Sequence, residues 1–167
     1  MRKCVIENVW LAIGSNLGDP TKQVKAALMA IGSLPNTRLL VCSSYYRSLP
    51  LGPQDQPDFL NAVLLLETSL TPDKFLDYIQ AIERCQGRKK HVYRFGPRTL
   101  DLDILLFGKR IITTPRLIVP HYDMYNREFV LYPLLEVAPN LIFPDGTLLI
   151  QRLSRISRKN LTYWVKE

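Results

Sequence analysis

The order of extended and helical segments constrains the fold of this chain more than any other feature. Extended segments, rich in aliphatic, β-branched and aromatic residues, are predicted at 8–13, 37–47, 59–68 and 101–107. A helix is predicted after Asp19, with Pro20 as its first residue and Gly32 at its end, and a second helix between Thr71 and Gly87. The order β-α-β-β-α-β predicts an α+β fold with a ferredoxin-like core, in which helices pack on an antiparallel sheet.

Further segments follow this core. Gly108-Lys109 is predicted to turn the fourth strand back into Ile111-Ile112. Residues 127–137 have helical spacing, which Pro133 should break or kink. A basic tail is predicted from about residue 151. The chain has 167 residues, of which 47% are hydrophobic, and no linker or repeat divides it, so we expect a single domain over 1–167.

Composition argues against several classes of protein. No apolar run approaches the ~20 residues that a membrane span needs. The cysteines Cys4, Cys42 and Cys85 are odd in number and contain no C-x-x-C pair, which predicts reduced thiols. The net charge of +7 is concentrated in two patches, which suit small polyanions better than a nucleic-acid backbone. We expect a cytoplasmic monomer that binds neither nucleic acid nor membrane.

The fourth predicted strand carries two acidic residues. Asp101 and Asp103 flank Leu102, so that on a strand both carboxylates share one face, while Leu102 and Ile104 point to the other. Adjacent carboxylates repel each other unless cations lie between them. Mg²⁺ prefers oxygen ligands of this kind and keeps waters that a phosphate substrate can displace. The pair therefore indicates either a metal site or an acidic surface.

A basic cluster precedes this strand, with no acid between residues 84 and 98. Its members are Arg84, Arg88, Lys89, Lys90, Arg94 and Arg98. Guanidinium groups bind phosphates bidentately. Carboxylates for a metal beside guanidiniums for phosphate are typical of a phosphoryl-transfer site, although a basic loop by itself is usually solvated surface.

Other residues have a structural and a functional interpretation. The loop Gly14–Gly18 lacks the spacing of a P-loop or a dinucleotide fingerprint, so a structural turn is favoured. His121 is either structural or a phosphate donor beside Arg127. Gln80 and Glu83, spaced i and i+3, could face the same cleft, or Glu83 could pair with a neighbouring cation. Four further residues are either core or a clamp for a flat heterocycle: Phe59, Asn61, Phe95 and Phe129.

Five short motifs resemble those of a known enzyme family. They are AIGSNL at 12–17, PLGPQDQP at 50–57, FLN at 59–61, GPRTLDLDI at 96–104 and VPHYDM at 119–124. In these motifs the chain resembles the 6-hydroxymethyl-7,8-dihydropterin pyrophosphokinases of folate biosynthesis. The resemblance runs from about residue 9 to 146. It implies transfer of a diphosphoryl group from ATP to the pterin hydroxymethyl oxygen, with release of AMP.

The resemblance also implies the roles of individual residues. Asp101 and Asp103 would bind two Mg²⁺ ions, and Arg88 and Arg98 would offset charge on the transferred group. The remaining ATP contacts would be Gln80, Lys90, Arg94, Ile104, Arg116, His121, Tyr122 and Arg127. The pterin contacts would be Ser48, Leu51, Phe59, Asn61, Phe95 and Phe129.

Three residues depart from the common pattern of that family. Lys90 stands where arginine is frequent and lacks bidentate geometry. Phe95 replaces a frequent tryptophan and Phe59 a frequent tyrosine, so a stacking face is kept and a polar group is lost.

Two other function classes remain: a D-x-D metal phosphohydrolase or nucleotidyl/sugar transferase, and a ferredoxin-like RNA-binding module. The RNP pattern of such modules is missing from this sequence.

Overall fold

A computed structural model describes residues 5–50, 55–87 and 99–164. Six of the predicted site residues lie outside these ranges: Leu51, Arg88, Lys90, Arg94, Phe95 and Arg98. The elements are β1 (Glu7–Ser15), α1 (Pro20–Gly32), β2 (Thr37–Cys42), β3 (Tyr46–Ser48), β4 (Phe59–Thr68), α2 (Pro72–Cys85), β5 (Asp101–Phe107), β6 (Ile112–Thr113), β7 (Ile118–Val119), α3 (Glu128–Val137), α4 (Leu149–Leu153) and β8 (Leu161–Tyr163), with a single 3₁₀ turn at Met124–Asn126.

Within the described residues the main sheet has six strands, in the order β5-β1-β4-β3-β8, with β2 also paired to β4. Each of its pairings is antiparallel. The predicted β-α-β-β-α-β order is confirmed, except that the predicted second strand is two strands, β2 and β3, on the same partner β4. The break occurs near Ser43, whose hydroxyl accepts a hydrogen bond from the Val63 amide.

Both helix starts agree with the sequence. The Asp19 carboxylate accepts a hydrogen bond from the amide of Lys22 (3.2 Å), and the Thr71 hydroxyl accepts one from the amide of Lys74 (3.3 Å). After α2, Gly87 has a φ of +93°, a conformation that favours glycine and ends the helix.

Helices cover both faces of the sheet. Leu102 and Ile104 of β5 pack in one core with Val24 of α1 and with Phe75 and Ile79 of α2. Leu105 packs in a second core, together with Val130 and Leu131 of α3. We call the face of the sheet that packs against α3 the α3 face. The candidate site lies on this face.

One expectation needs correction: Ile112 does not return along β5, and β6 instead pairs with β7 in a separate two-stranded sheet. Of the two effects expected of Pro133, a break does not occur, since α3 runs through it from Glu128 to Val137. The region from about residue 151, predicted as a basic tail, includes the end of α4 and the strand β8, which pairs with β3 at the edge of the main sheet. None of the described helices is long and apolar enough to cross a membrane.

Candidate active site

A row of cross-strand partners joins the two halves of the predicted site. Gly14 on β1 is paired with Asp101 of β5 on one side and with Asn61 of β4 on the other. Directly paired residues present their side chains on the same face of a sheet. Neighbouring strands lie ~4.8 Å apart, so the Cα atoms of Asp101 and Asn61 are roughly 10 Å from each other. The predicted metal ligand and the predicted pterin contact therefore share one face.

The two aspartates have the alternation predicted from the sequence. Asp101 and Asp103 are half-buried on the α3 face, while Leu102 and Ile104 are buried on the opposite face. The Asp103 side chain is 41% exposed, and its Oδ2 lies 3.9 Å from Nη1 of Arg127. Both carboxylates thus remain accessible to a cation or to solvent.

An irregularity in β5 positions His121. The register between β1 and β5 shifts after Asp103 and Ile104, so that Leu105 has no direct partner and Leu106 pairs with Trp10. The Leu105 carbonyl instead accepts a hydrogen bond from the His121 amide at 3.0 Å. β-Bulges often redirect groups in this way beside active sites. This contact ties the VPHYDM segment to the aspartate strand.

His121 is held as a neutral hydrogen-bond donor. Its Nδ1 accepts a hydrogen bond from the Asp123 amide (3.2 Å), which places the proton of the neutral ring on Nε2. Its ring stacks on Tyr122 with centroids 4.7 Å apart. Burial and the nearby Arg127 guanidinium lower the pKa of His121 from 6.5 to about 4. At neutral pH the ring therefore presents an uncharged Nε2–H.

Arg127 links the histidine to the aspartates. Its Nε donates to Asp123 Oδ2 at 3.2 Å, and its side chain is 15% exposed. Hydrogen bonds from Asn126 and then from Arg127 lower the pKa of Asp123, so that this carboxylate stays ionised and orients the guanidinium. The guanidinium also lies 5.5 Å from the centroid of the Phe129 ring. A fixed cation thus stands between Asp103 and Phe129.

The pH dependence of stability tests this arrangement of His121. Because the folded-state pKa lies below the unfolded value, the folded protein binds fewer protons between pH 6.5 and 4. The contribution of His121 to stability is therefore full above pH 6.5 and is lost as the pH falls towards 4. We expect His121→Gln to show a smaller loss of stability between pH 7 and 5 than the parent chain, measured by urea unfolding. Equal losses would contradict the assigned environment.

The side-chain oxygen of Asn61 is a hydrogen-bond acceptor close to Gly14. Its side chain is buried, and Nδ2 donates to Ser48 Oγ at 2.7 Å and to the Phe59 carbonyl at 3.3 Å. Both amide hydrogens are thus engaged, and Oδ1 lies near Gly14: a Cβ added there would be 3.5 Å from Oδ1 and 3.9 Å from Cδ1 of Phe59. An acceptor beside an aromatic edge suits a planar ligand with N–H groups.

The segment Gly14–Gly18, expected to be a structural turn, begins with the last two residues of β1 and supports the site. The Ser15 hydroxyl donates to the Thr99 carbonyl at 2.6 Å, two residues before β5 begins. Asn16 is buried, and its Nδ2 donates to Gln56 Oε1 and to the Pro57 carbonyl, both at 2.9 Å. Sequence reasoning did not identify these contacts, since all of them join segments far apart in the chain.

Some predicted ATP contacts lie elsewhere. The Ile104 side chain is buried in the core beneath α2, so only its backbone could touch a ligand. Arg116 Nη2 donates to Asp77 at 2.6 Å, and Nη1 lies 3.8 Å from Asp73, which places Arg116 on the acidic side of α2 near Gln80. The described contacts of Arg116 do not include the aspartates of β5.

Comparison with known proteins gives a consistent match. Residues 10–139 match the family described as 7,8-dihydro-6-hydroxymethylpterin-pyrophosphokinase (HPPK). A 2-amino-4-hydroxy-6-hydroxymethyldihydropteridine pyrophosphokinase from Haemophilus influenzae is 52% identical, over 89% of this chain and 92% of its own length. The protein of the same name from Pseudomonas aeruginosa is 54% identical, over 90% and 92%.

Among solved structures, the wild-type HPPK-DHPS of Plasmodium falciparum with pteroate superposes with a TM-score of 0.73 at 12% identity. The superposition covers 93% of this chain and 43% of that one. At this identity the likeness concerns the fold alone, and it agrees with the antiparallel sheet and packed helices described above.

Proposed function

Because the chain belongs to the 7,8-dihydro-6-hydroxymethylpterin-pyrophosphokinase family, we propose that it transfers the diphosphoryl group of ATP to the hydroxymethyl oxygen of 6-hydroxymethyl-7,8-dihydropterin. The observation that supports this proposal is the row Asp101–Gly14–Asn61, in which the proposed metal ligand and the proposed pterin contact lie on one face of the sheet. The single domain over 1–167, its monomeric state and its cytoplasmic location stay predictions.

The reaction balances without a further reactant. The pterin hydroxyl oxygen forms a bond to the β-phosphorus of ATP, and the bond from that phosphorus to the α,β-bridging oxygen breaks. AMP leaves with the bridging oxygen, and the hydroxyl proton passes to solvent. A loose transition state places little demand on the nucleophile, so the site needs no dedicated general base. Its tasks are to align the two substrates and to offset charge.

The aspartate pair fits Mg²⁺. Both side chains are accessible carboxylates on one face, and the described residues contain no group of three or more His, Cys, Asp or Glu that could hold a metal ion. Mg²⁺ is usually held by one or two carboxylates, substrate phosphates and waters, so a two-carboxylate site suits it better than a closed protein cage would. We assign Asp101 and Asp103 to two Mg²⁺ ions, which when bound would neutralise phosphate charge.

The phosphate side of the site is formed by Arg127 and His121. Arg127 supplies a half-buried positive charge, and its hydrogen bond to Asp123 leaves other guanidinium N–H groups to donate to phosphate oxygens. His121 supplies an uncharged Nε2–H, so its contribution does not change between pH 6 and 8. Tyr122, 60% exposed, lies against the His121 ring and would extend this surface.

The adenosine of ATP would lie at the outer edge of β5. Gln80 on α2, the backbone of Ile104, and Arg116 beside Asp77 are the described groups on that side. The remaining predicted phosphate contacts, Arg88, Lys90, Arg94 and Arg98, belong to this proposal on the strength of the motif alone.

The pterin would lie between Phe59 and Phe129, beside Asn61. The Asn61 Oδ1 can accept from the N–H groups of the pterin edge, while Ser48 holds the amide in this orientation. Phe129 comes from the first turn of α3, next to Arg127. Leu51 and Phe95 complete the proposed set of pterin contacts.

Phosphorus NMR of the protein with Mg²⁺, ATP and the reduced hydroxymethylpterin tests the proposal directly. We expect AMP and a pterin diphosphate ester to appear in equal amounts, and no AMP when the pterin is left out. Release of free phosphate or of a nucleoside diphosphate would instead favour a phosphohydrolase or a different transferase.

A further inference from the structure

Glu83 is an acidic residue that is buried next to the aspartate strand. It lies in the last turns of α2 with a relative exposure of 5%, and its Oε2 accepts a hydrogen bond from the Leu102 amide at 3.0 Å. Leu102 is the residue between Asp101 and Asp103. We propose that Glu83 is a positioning residue, which holds the backbone that carries both aspartates in the geometry that metal and nucleotide require.

The hydrogen bond between Glu83 and Leu102 lies on the outer edge of β5, which is an edge strand of the main sheet. β5 is the last strand of the main sheet, with β1 as its only partner among the described strands. In an antiparallel pair, backbone groups point alternately towards the partner and away from it. The Leu102 amide points away from β1, and the Glu83 carboxylate takes the place of a further strand.

Glu83 approaches from the side opposite to the aspartate side chains. The α2 helix packs against Leu102 and Ile104, whereas Asp101 and Asp103 lie on the α3 face. The Oε2 atom of Glu83 thus meets the strand backbone from the side opposite to the side chains of Asp101 and Asp103. Its role is therefore distinct from that of a metal ligand, and this proposal rests on the assignment of Mg²⁺ to the two aspartates.

A second contact restrains the same turn of chain. The Ser15 hydroxyl donates to the Thr99 carbonyl at 2.6 Å, so Asp101 lies between two side-chain hydrogen bonds from other elements. A displacement of ~1 Å at a reacting centre can cost about 10²-fold in rate. The Glu83 contact would prevent such a displacement of Asp101 and Asp103.

The test compares Glu83→Leu, which removes the acceptor, with Glu83→Gln, which keeps a side-chain carbonyl oxygen. For Glu83→Leu we expect faster hydrogen exchange at the Leu102 amide and an approximately tenfold weaker affinity for Mn²⁺ in the presence of a non-hydrolysable ATP analogue, measured by electron paramagnetic resonance. We further expect kcat to fall about 10²-fold with the KM for the pterin unchanged within about twofold. Glu83→Gln should recover most of the Mn²⁺ affinity.

Ile79→Ala is a matched control for stability alone. Ile79 is fully buried on the same helix, and its truncation should lower the melting temperature without changing the Mn²⁺ titration. The proposal is overturned if Glu83→Leu exposes the Leu102 amide but binds Mn²⁺–nucleotide like the parent, or if Ile79→Ala weakens Mn²⁺ binding equally. Failure of the proposed function has a separate signature, since the parent chain would then produce no AMP.

Discussion

Replacement of Asp103 by alanine is expected to lower kcat by about 10³-fold or more and to leave the fold intact. A metal ion that neutralises phosphate charge supplies several kcal/mol to the transition state, and about 4 kcal/mol corresponds to 10³ in rate. Asp101→Ala should behave in the same way. The phosphorus NMR assay measures the loss of turnover, and thermal melts without Mg²⁺ measure the stability of each variant.

We expect the variants to stay folded because of the exposure of the Asp103 side chain and the charge repulsion between the two aspartates. The Asp103 side chain is 41% exposed and lies 3.9 Å from Arg127, a separation at which a partly solvated ion pair contributes only ~0–1 kcal/mol. Loss of either carboxylate also relieves its repulsion with the other. Glu67→Ala is a suitable control, because Glu67 is a partly exposed strand residue that pairs with Arg38 at the other end of β4 from Asn61. A large drop in melting temperature for both site variants would show a structural role and end the metal assignment.

The second large effect is expected for Asn61→Ala, which should weaken pterin binding tenfold or more and change ATP affinity by less than twofold. A buried site that loses a hydrogen bond to its ligand loses ~1–3 kcal/mol, and 1.4 kcal/mol is a factor of ten. Isothermal titration with the pterin, and separately with a non-hydrolysable ATP analogue, measures both affinities.

Ser48→Ala provides a graded comparison for Asn61→Ala. It keeps the Asn61 acceptor and removes the hydroxyl that accepts from Nδ2, so its effect on pterin affinity should be smaller than that of Asn61→Ala. If ATP binding weakened as much as pterin binding in Asn61→Ala, Asn61 would not belong to a separate pterin pocket, and the assignment would be wrong.

Much of the fold was predictable because it depends on neighbours along the chain. The starts of α1 and α2 follow from Asp19, Thr71 and the prolines after them, and each cap involves residues three positions apart. The span of β4 was predicted to the residue, since its ends are marked by a change in composition. Pro133 shows the limit of such local rules, because α3 continues through it inside a packed core.

In the candidate site, too, the features that depend on local sequence were predictable and those that depend on tertiary packing were not. That Asp101 and Asp103 share a face follows from the period of a strand, which is a property of the sequence alone. The enzyme family also follows from the motifs, and the match over residues 10–139 confirms it. The resemblance predicted Ile104 and Arg116 as ATP contacts. It did not predict that the Ile104 side chain is buried or that Arg116 pairs with Asp77 on α2.

The sequence by itself therefore determined the order of elements, the shared face of the two aspartates and the family. Only the tertiary structure decided that Gly14 stands between Asp101 and Asn61, that Leu105 interrupts the register to bind the His121 amide, and that Glu83 is buried against Leu102. The physical reason is that strand register and helix placement depend on how distant segments pack. A shift of one residue in β5 would move both carboxylates to the other face and leave their local sequence unchanged.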